Sequence, residues 1–204
     1  VSVVSLGLHL EPGMKVGLYG GSFDPAHEAH RQVAETALKR LGLDRVVWLV
    51  SPQNPLKPVT VGTVAQRMAG ARALARSPSM VVSDLETRIG AAYTFQTVRA
   101  LKARYPGVWF VWIMGADALK GLHRWRHWAE VVRTFPIAVV ARPGSMAKAR
   151  LALAPRRFAW ARVPTTAARM VPLMLPPAWV ELPMRLNPLS SSAVRTARSG
   201  SAGR

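Results

Sequence analysis

The stretch "GGSFDPAHEAH", Gly20 to His30, joins two segments of different periodicity. Before it, "KVGLY" (Lys15 to Tyr19) is a short, glycine-bounded run of residues that suit a buried strand. After it, "EAHRQVAETALKRLGL" (Glu28 to Leu43) places apolar or small residues at Ala29, Val33, Ala37, Leu38 and Leu41, close to helical spacing. Gly42 then stands where a helix would stop. The stretch reads as a strand-to-helix turn. Glycines let a backbone approach a ligand closely, and a helix N-terminus offers unpaired N–H groups that attract anions, phosphate above all. His27 and His30, at i and i+3 in the first turn, point the same way and add donors. A tight turn with solvated histidines is the plainer alternative. Glycines, an Asp-Pro turn and a histidine pair together favour a phosphate site. Zinc is the weaker alternative, because "HEAH" lacks the HExxH spacing and no third ligand is evident.

Strand-like and helix-like segments alternate on from this turn. "RVVWLVS" (Arg45 to Ser51) reads as a buried strand, Val61 to Ser77 as a helix, and Met80 to Glu86 as a strand. Thr94 to Tyr105 reads as a helix with apolar Phe95, Val98 and Leu101, and Val108 to Gly115 is the most hydrophobic strand. A helix is expected over Trp128 to Thr134 and a strand over Ile137 to Arg142. Continuous apolar strands separated by helices predict a parallel sheet covered on both faces. The expected fold is α/β, a doubly wound, Rossmann-like single domain with its ligands at the carboxyl ends of the strands. After Arg142 the pattern weakens: a short helix over Met146 to Leu153, a strand in "RFAWARV", then a proline-rich passage from Pro164 to Pro188.

The chain has 204 residues, half of them hydrophobic (50%), enough for one domain with a substantial core. No apolar run approaches the roughly 18 residues that span a bilayer. The opening thirteen residues lack a basic start, the first lysine being Lys15, so they read as no signal peptide. Residues 1–13 are expected to be a disordered or mis-called extension with Met14 as the natural start, residues 14–198 the domain, and 199–204 a frayed tail. The absence of cysteine excludes disulfides and thiolate metal sites, and suits the cytoplasm. A net charge of +18 invites a nucleic-acid reading, but the basic residues are mostly scattered arginines that form no long run. The same field draws in small phosphorylated substrates.

The informative residues fall just past the strands: Gly20 to His30, "SPQNPLKP", "DLETRIGAAYT", "MGAD" and "ARPG", with "LSSSAVR" near the C-terminus. As a set they resemble the nucleotidyltransferases marked by an HxGH pair and a late ISSTxxR-like segment. Within these they look most like the bacterial nicotinate-nucleotide adenylyltransferases. The resemblance spans Lys15 to Arg195, nearly the whole chain. It implies transfer of AMP from ATP to nicotinate mononucleotide, with no protein nucleophile and with Mg²⁺ carried mainly by the ATP phosphates. It implies no nucleic-acid or membrane partner. His27 and His30 would be catalytic, donating to the transferring and leaving phosphate oxygens. Gly20, Gly21, Ser22 and Phe23 would bind ATP with them, as would Ser191, Ser192 and Arg195 of the late segment. Asn54, Lys57, Tyr93, Thr94, Asp117 and Trp125 would bind the mononucleotide: Lys57 and Asn54 its phosphate, Tyr93 and Thr94 its carboxylate, Trp125 its ring, and Asp117 hydroxyls on the nucleotide side.

The HxGH glycine is Ala29 here, whose methyl is compatible with a helix, and Ser192 takes a threonine place while keeping the hydroxyl. Three functions stay open beside the implied one: adenylyl transfer to nicotinamide mononucleotide, transfer to phosphopantetheine, and a basic nucleic-acid-binding module. Other residues have plain readings. His123 and His127, at i and i+4, suit a helical metal pair but read better as solvated, and Trp109 and Trp112 read as core. Asp84 and Glu86 read as a strand-borne carboxylate pair or as caps of the next turn. Arg67 and Arg142 read as lining the phosphate site or as solvated.

Overall fold

The computed structural model describes residues 6–52, 62–141 and 144–184. Its strands are β1 (Lys15–Gly21), β2 (Arg45–Val50), β3 (Met80–Ser83), β4 (Trp109–Gly115), β5 (Ile137–Ala141), β6 (Arg162–Val163) and β7 (Trp179–Pro183). They form one seven-stranded sheet in the order β3-β2-β1-β4-β5-β7-β6, and every pairing is parallel. The helices are α1 (Glu28–Leu41), α2 (Val64–Leu74), α3 (Leu85–Arg88), α4 (Thr94–Arg104), α5 (Ala116–Gly121), α6 (Trp128–Thr134), α7 (Ser145–Arg150) and α8 (Leu153–Arg157). Alternation along the strands feeds two cores. Leu18, Val47, Leu49, Phe110, Trp112 and Met114 pack on one face with Val98, Leu101, Leu119 and Val131 of α4, α5 and α6. Tyr19, Val46, Trp48, Val111 and Ile113 pack on the other with Val33, Ala34, Ala37 and Leu41 of α1. Both faces are covered, as near-continuous apolar strands require. The fold is the expected doubly wound α/β domain.

Local chemistry sets the element ends. Gly42 closes α1 in the left-handed region at φ 63°, and its N–H donates to the Leu38 carbonyl. Thr63 caps α2: its hydroxyl accepts from the Gln66 N–H at 3.2 Å, while Gln66 accepts from the Thr63 N–H at 2.9 Å. β3 ends at Ser83, so Asp84 and Glu86 do not share a strand. Asp84 precedes α3 and Glu86 lies within it.

The C-terminal third departs from the expected pattern. In "RFAWARV" only Arg162 and Val163 are strand, at the sheet edge. Phe158 and Ala161 are buried while Trp160 stays exposed, a three-residue spacing that fits the 3₁₀ turn over Ala159–Ala161 and not a period of two. The proline-rich passage hides β7, which slots between β5 and β6. Its flanking prolines read as loop, yet Trp179 to Leu182 are all buried.

Residues 6–13 also correct an expectation. They are no loose extension: Leu6 and Leu8 are buried in the core. The Leu8 carbonyl accepts from the Tyr105 hydroxyl at 2.8 Å, and the Gly13 N–H donates to the Gly107 carbonyl at 2.8 Å. Trp109, expected in the core, is half-exposed at the start of β4. Leu8→Ala is therefore expected to lower stability in urea unfolding by about 2–4 kcal/mol. A change under about 0.5 kcal/mol, the usual range for an exposed site, would show that the segment does not pack.

Candidate active site

β1 lies mid-sheet. The chain runs outward from it to β2 and β3, then crosses back to β4 on its other side. In such sheets the crevice opens at the carboxyl ends of the two strands flanking the reversal. A cavity of about 600 Å³ stands there, lined by Gly20, Gly21, Ser22, Phe23 and His30 from the β1–α1 turn. Ser51, Pro52 and Glu86 follow β2 and β3, and Trp112, Asp117, Arg124, Trp125 and Arg126 come from β4 and beyond. Tyr93 and Thr94 close the wall at the start of α4.

The glycines are needed for closeness. A Cβ on Gly20 would lie 2.9 Å from Cζ2 of the Trp112 indole, which also lines the cavity. Phe23 holds the turn from beneath with a left-handed φ of 48°. Its buried ring stacks on Trp48 at 5.2 Å and meets Tyr19 edge-on at 5.5 Å. This aromatic packing over-determines a backbone conformation that most residues avoid.

His27 is the N-cap of α1, and His30 sits at the third helical position. The two rings lie face to face, centroids 3.9 Å apart and planes 26° apart. The backbone N–H of His27 donates to Nδ1 of His30 at 3.2 Å. With Nδ1 accepting, the ring proton of neutral His30 belongs on Nε2, which makes Nε2–H a donor. Ala29 is buried in the first turn between them, so the helix accommodates its methyl.

Arg67 neither lines the cavity nor meets solvent. It is 3% exposed and spends its guanidinium on backbone carbonyls of two loops, the β1–α1 turn and the β2–α2 connection. Nε donates to Gly62 at 3.0 Å, Nη1 to Ser22 at 2.8 Å and Ser51 at 2.7 Å, and Nη2 to Pro52 at 2.9 Å. Burial works against its charge and the Asp24 carboxylate supports it. The planar fork thus ties the β1–α1 turn to the loop after β2. Glu86, also buried, accepts from the Thr97 hydroxyl at 3.0 Å. Burial pushes its carboxyl above the ordinary range, and hydrogen bonds from Ser51 and Thr97 pull the other way.

The opposite wall is aromatic and cationic. Tyr93 caps α4, an 11-residue helix whose N-terminus meets the cavity. Gln96 fastens this start by accepting from the Ala92 and Tyr93 N–H groups, each at 3.0 Å. Trp125 meets Trp112 edge-on at 6.4 Å, and Asp117 lies in the first turn of α5. His123 and His127 do not share a helix: His123 sits in the 3₁₀ turn Leu122–Arg124, and His127 stands before α6 with φ 51°. The structure thus brings Gly20, Gly21, Ser22, Phe23, His30, Tyr93, Thr94, Asp117 and Trp125 to one cavity, with His27 stacked behind His30. Asn54, Lys57, Arg142, Ser191, Ser192 and Arg195 lie outside the described residues.

Residues 18–197 match the family model described as cytidylyltransferase-like. A Caulobacter sp. (strain K31) protein named "Probable nicotinate-nucleotide adenylyltransferase" is 57% identical over 89% of this chain and 97% of its own. A Roseobacter denitrificans protein of the same name is 46% identical over 90% of this chain and 92% of its own. The chain belongs to the nicotinate-nucleotide adenylyltransferase family. Among solved structures, the Plasmodium falciparum nicotinic acid mononucleotide adenylyltransferase complexed with NaAD superposes with a TM-score of 0.62. It covers 89% of this chain and 82% of its own at 16% identity, a likeness of fold.

The cavity also includes Trp112, Glu86, Arg124 and Arg126, to which the resemblance gave no role. The arginines had a sequence signal, since they flank Trp125 in "HRWRHW". Glu86 stood in "DLETRIGAAYT" and read with Asp84 as a carboxylate pair or a cap, not as part of the cavity.

Two outcomes test this description. Arg67→Met is expected to cost about 3 kcal/mol or more in urea unfolding, because four carbonyls of two loops lose their donor. Arg67→Lys should recover only part, having no planar fork. A loss under about 1 kcal/mol for the methionine variant would mean that the loops hold without the arginine. For Glu86 the folded pKa lies above the unfolded one, so its protonated form favours folding. The stability difference between wild type and Glu86→Gln should move against wild type as pH rises from the ordinary carboxylate pKa through the raised one. A pH-independent difference would refute that linkage.

Proposed function

We propose that this protein transfers AMP from ATP to nicotinate mononucleotide, giving nicotinate adenine dinucleotide and pyrophosphate. The observation that carries the reading is the shared cavity. A glycine turn with a histidine donor stands on one side, and an aromatic wall with a helix N-terminus stands on the other. Two substrates that must meet need such facing walls. A phosphate oxygen of the mononucleotide attacks the ATP α-phosphorus in line. The bond from that phosphorus to the β-phosphate oxygen breaks, and pyrophosphate departs with the electron pair. No covalent enzyme intermediate is required, so catalysis rests on positioning and on charge stabilisation.

Gly20, Gly21, Ser22 and Phe23 bring backbone groups to the triphosphate in this reading. His30 aims its Nε2–H at oxygens whose charge grows in the transition state, and His27 backs it. Ser191, Ser192 and Arg195 hold the triphosphate by hydroxyl and guanidinium. On the acceptor side Trp125 stacks on the pyridine ring, and Asp117 accepts from nucleotide hydroxyls. Asn54 and Lys57 meet the mononucleotide phosphate. The ring carboxylate lies at the start of α4, where Tyr93 and Thr94 present the positive end of the helix. Mg²⁺ fits as a passenger on the ATP phosphates, whose charge it screens. The turn's own donor set of N–H, hydroxyl and imidazole faces phosphate oxygens. The +18 net charge helps draw both anionic substrates in.

Pyrophosphate release from ATP on adding each acceptor in turn tests the reading. Nicotinate mononucleotide should support release, with nicotinate adenine dinucleotide as co-product. Release with phosphopantetheine alone would overturn it. His30→Ala should lower kcat on the order of a hundredfold while the KM for ATP moves only a few-fold. Near-normal kcat in a folded His30→Ala variant would remove His30 from the chemistry.

A further inference from the structure

Arg126 stands at the mouth of the cavity, on the segment between Trp125 and α6, and has no part in the functions assigned above. Its guanidinium carbon lies 5.2 Å from the centroid of the Tyr93 ring. Tyr93 is the N-cap of α4, so the cation rests on the ring of the residue that opens that helix. Nearby arginines have their counter-charges: Arg99 bonds both carboxylate oxygens of Glu130, and Arg88 bonds Asp84. Among the described residues Arg126 makes no ion pair, and the face of Tyr93 is the contact that holds it. Arg124, the other cation on this wall, lies over Gly121, its Nη2 3.1 Å from where a Cβ on that glycine would stand. A guanidinium resting on the ring of a helix's N-cap residue sets two positive features on one wall of the cavity, with no carboxylate paired to the guanidinium among the described residues. That arrangement is electrostatically unfavourable until a carboxylate arrives.

We infer that Arg126 selects the acceptor's acid form, meeting the carboxylate on the pyridine ring from outside while the start of α4 meets it from within. This rests on the adenylyl-transfer reading above and adds to it the residue that separates nicotinate from nicotinamide mononucleotide. The two mononucleotides share ring, ribose and phosphate, so discrimination has to come from the ring substituent. A carboxylate only accepts hydrogen bonds and carries the charge that a guanidinium matches with two parallel N–H groups. The amide carries no charge and turns an NH₂ donor toward a donor wall, leaving both unpaired. Arg126 is exposed, so its contribution is screened by salt. It therefore sits at the lower end for charge-assisted hydrogen bonds, about tenfold in discrimination.

The test measures kcat/KM for both mononucleotides at saturating ATP in wild type, Arg126→Gln and Arg126→Lys. Calorimetric affinities for the two mononucleotides without ATP accompany the kinetics. Arg126→Gln should lower kcat/KM and affinity for nicotinate mononucleotide about tenfold while those for nicotinamide mononucleotide stay within about twofold. Arg126→Lys, which keeps the charge and the Tyr93 contact without the fork, should recover part of the ratio. Raising salt should shrink the discrimination of wild type and leave that of Arg126→Gln nearly unchanged. An acid-to-amide ratio unchanged by Arg126→Gln would overturn the proposal. So would equal losses for both mononucleotides, the result expected of a phosphate contact or of a loosened α4. A wild-type protein that releases no pyrophosphate with either mononucleotide would count against adenylyl transfer, while the calorimetric ratio would still decide the role of Arg126.

Discussion

A parallel sheet has to carry the chain back to the same end of the strands before each new strand begins, so every strand opens its carboxyl end on one side of the molecule. In this protein that constraint collects the chemistry. The turns after β1, β2, β3 and β4 all reach the one cavity, although their residues lie far apart in the chain. The reversal between β1 and β4 then leaves a gap that no crossover fills, and there a ligand can enter between two walls.

The two walls are built by different means. The β1–α1 turn is rigid because Phe23 packs beneath it and because Arg67 holds Ser22 to the loop after β2. Such rigidity is what charge stabilisation demands, since donors that must reorganise at the moment of reaction lose most of their advantage. The second wall, from Tyr93 to Thr94 and from Arg124 to Arg126, relies on stacking and on charge. Its side chains are partly exposed, which suits a surface that must admit a planar ring and release a product. Buried polar groups follow the same division. Arg67 is satisfied by loop carbonyls and Glu86 by the Thr97 hydroxyl of α4, whereas the cations of the second wall line the cavity.

Much of this was legible in the residues. Alternation of apolar runs foretold the parallel sheet, and Gly42 marked the end of α1 because only a residue at ease with positive φ closes a helix that way. The glycines and the histidine pair of Gly20 to His30 marked the turn, since their spacing is local and its geometry follows from one strand and one helix. Tyr93, Asp117 and Trp125 were reached through family motifs, and the structure brings them to the same cavity as His30.

Tertiary structure decided what local pattern could not encode. β7 runs through a proline-rich passage and forms because β5 offers it an open edge along Ile137 to Ala141. Residues 6–13 join no strand or helix, though Leu6, Leu8 and Leu10 alternate with Gly7 and His9, and the segment is tied down by hydrogen bonds with Tyr105 and Gly107 across the fold. From the sequence Arg67 reads as lining the phosphate site or as solvated. It becomes the tie between loops because the fold brings Ser22, 45 positions earlier, and Ser51, 16 positions earlier, to the same guanidinium. Arg126 likewise acquires its place from Tyr93, on another element. Periodicity records which side of an element is apolar, and motif spacing records a local turn. Which distant carbonyl or ring a charged side chain meets depends on the sheet order, and that is fixed only when the strands have paired.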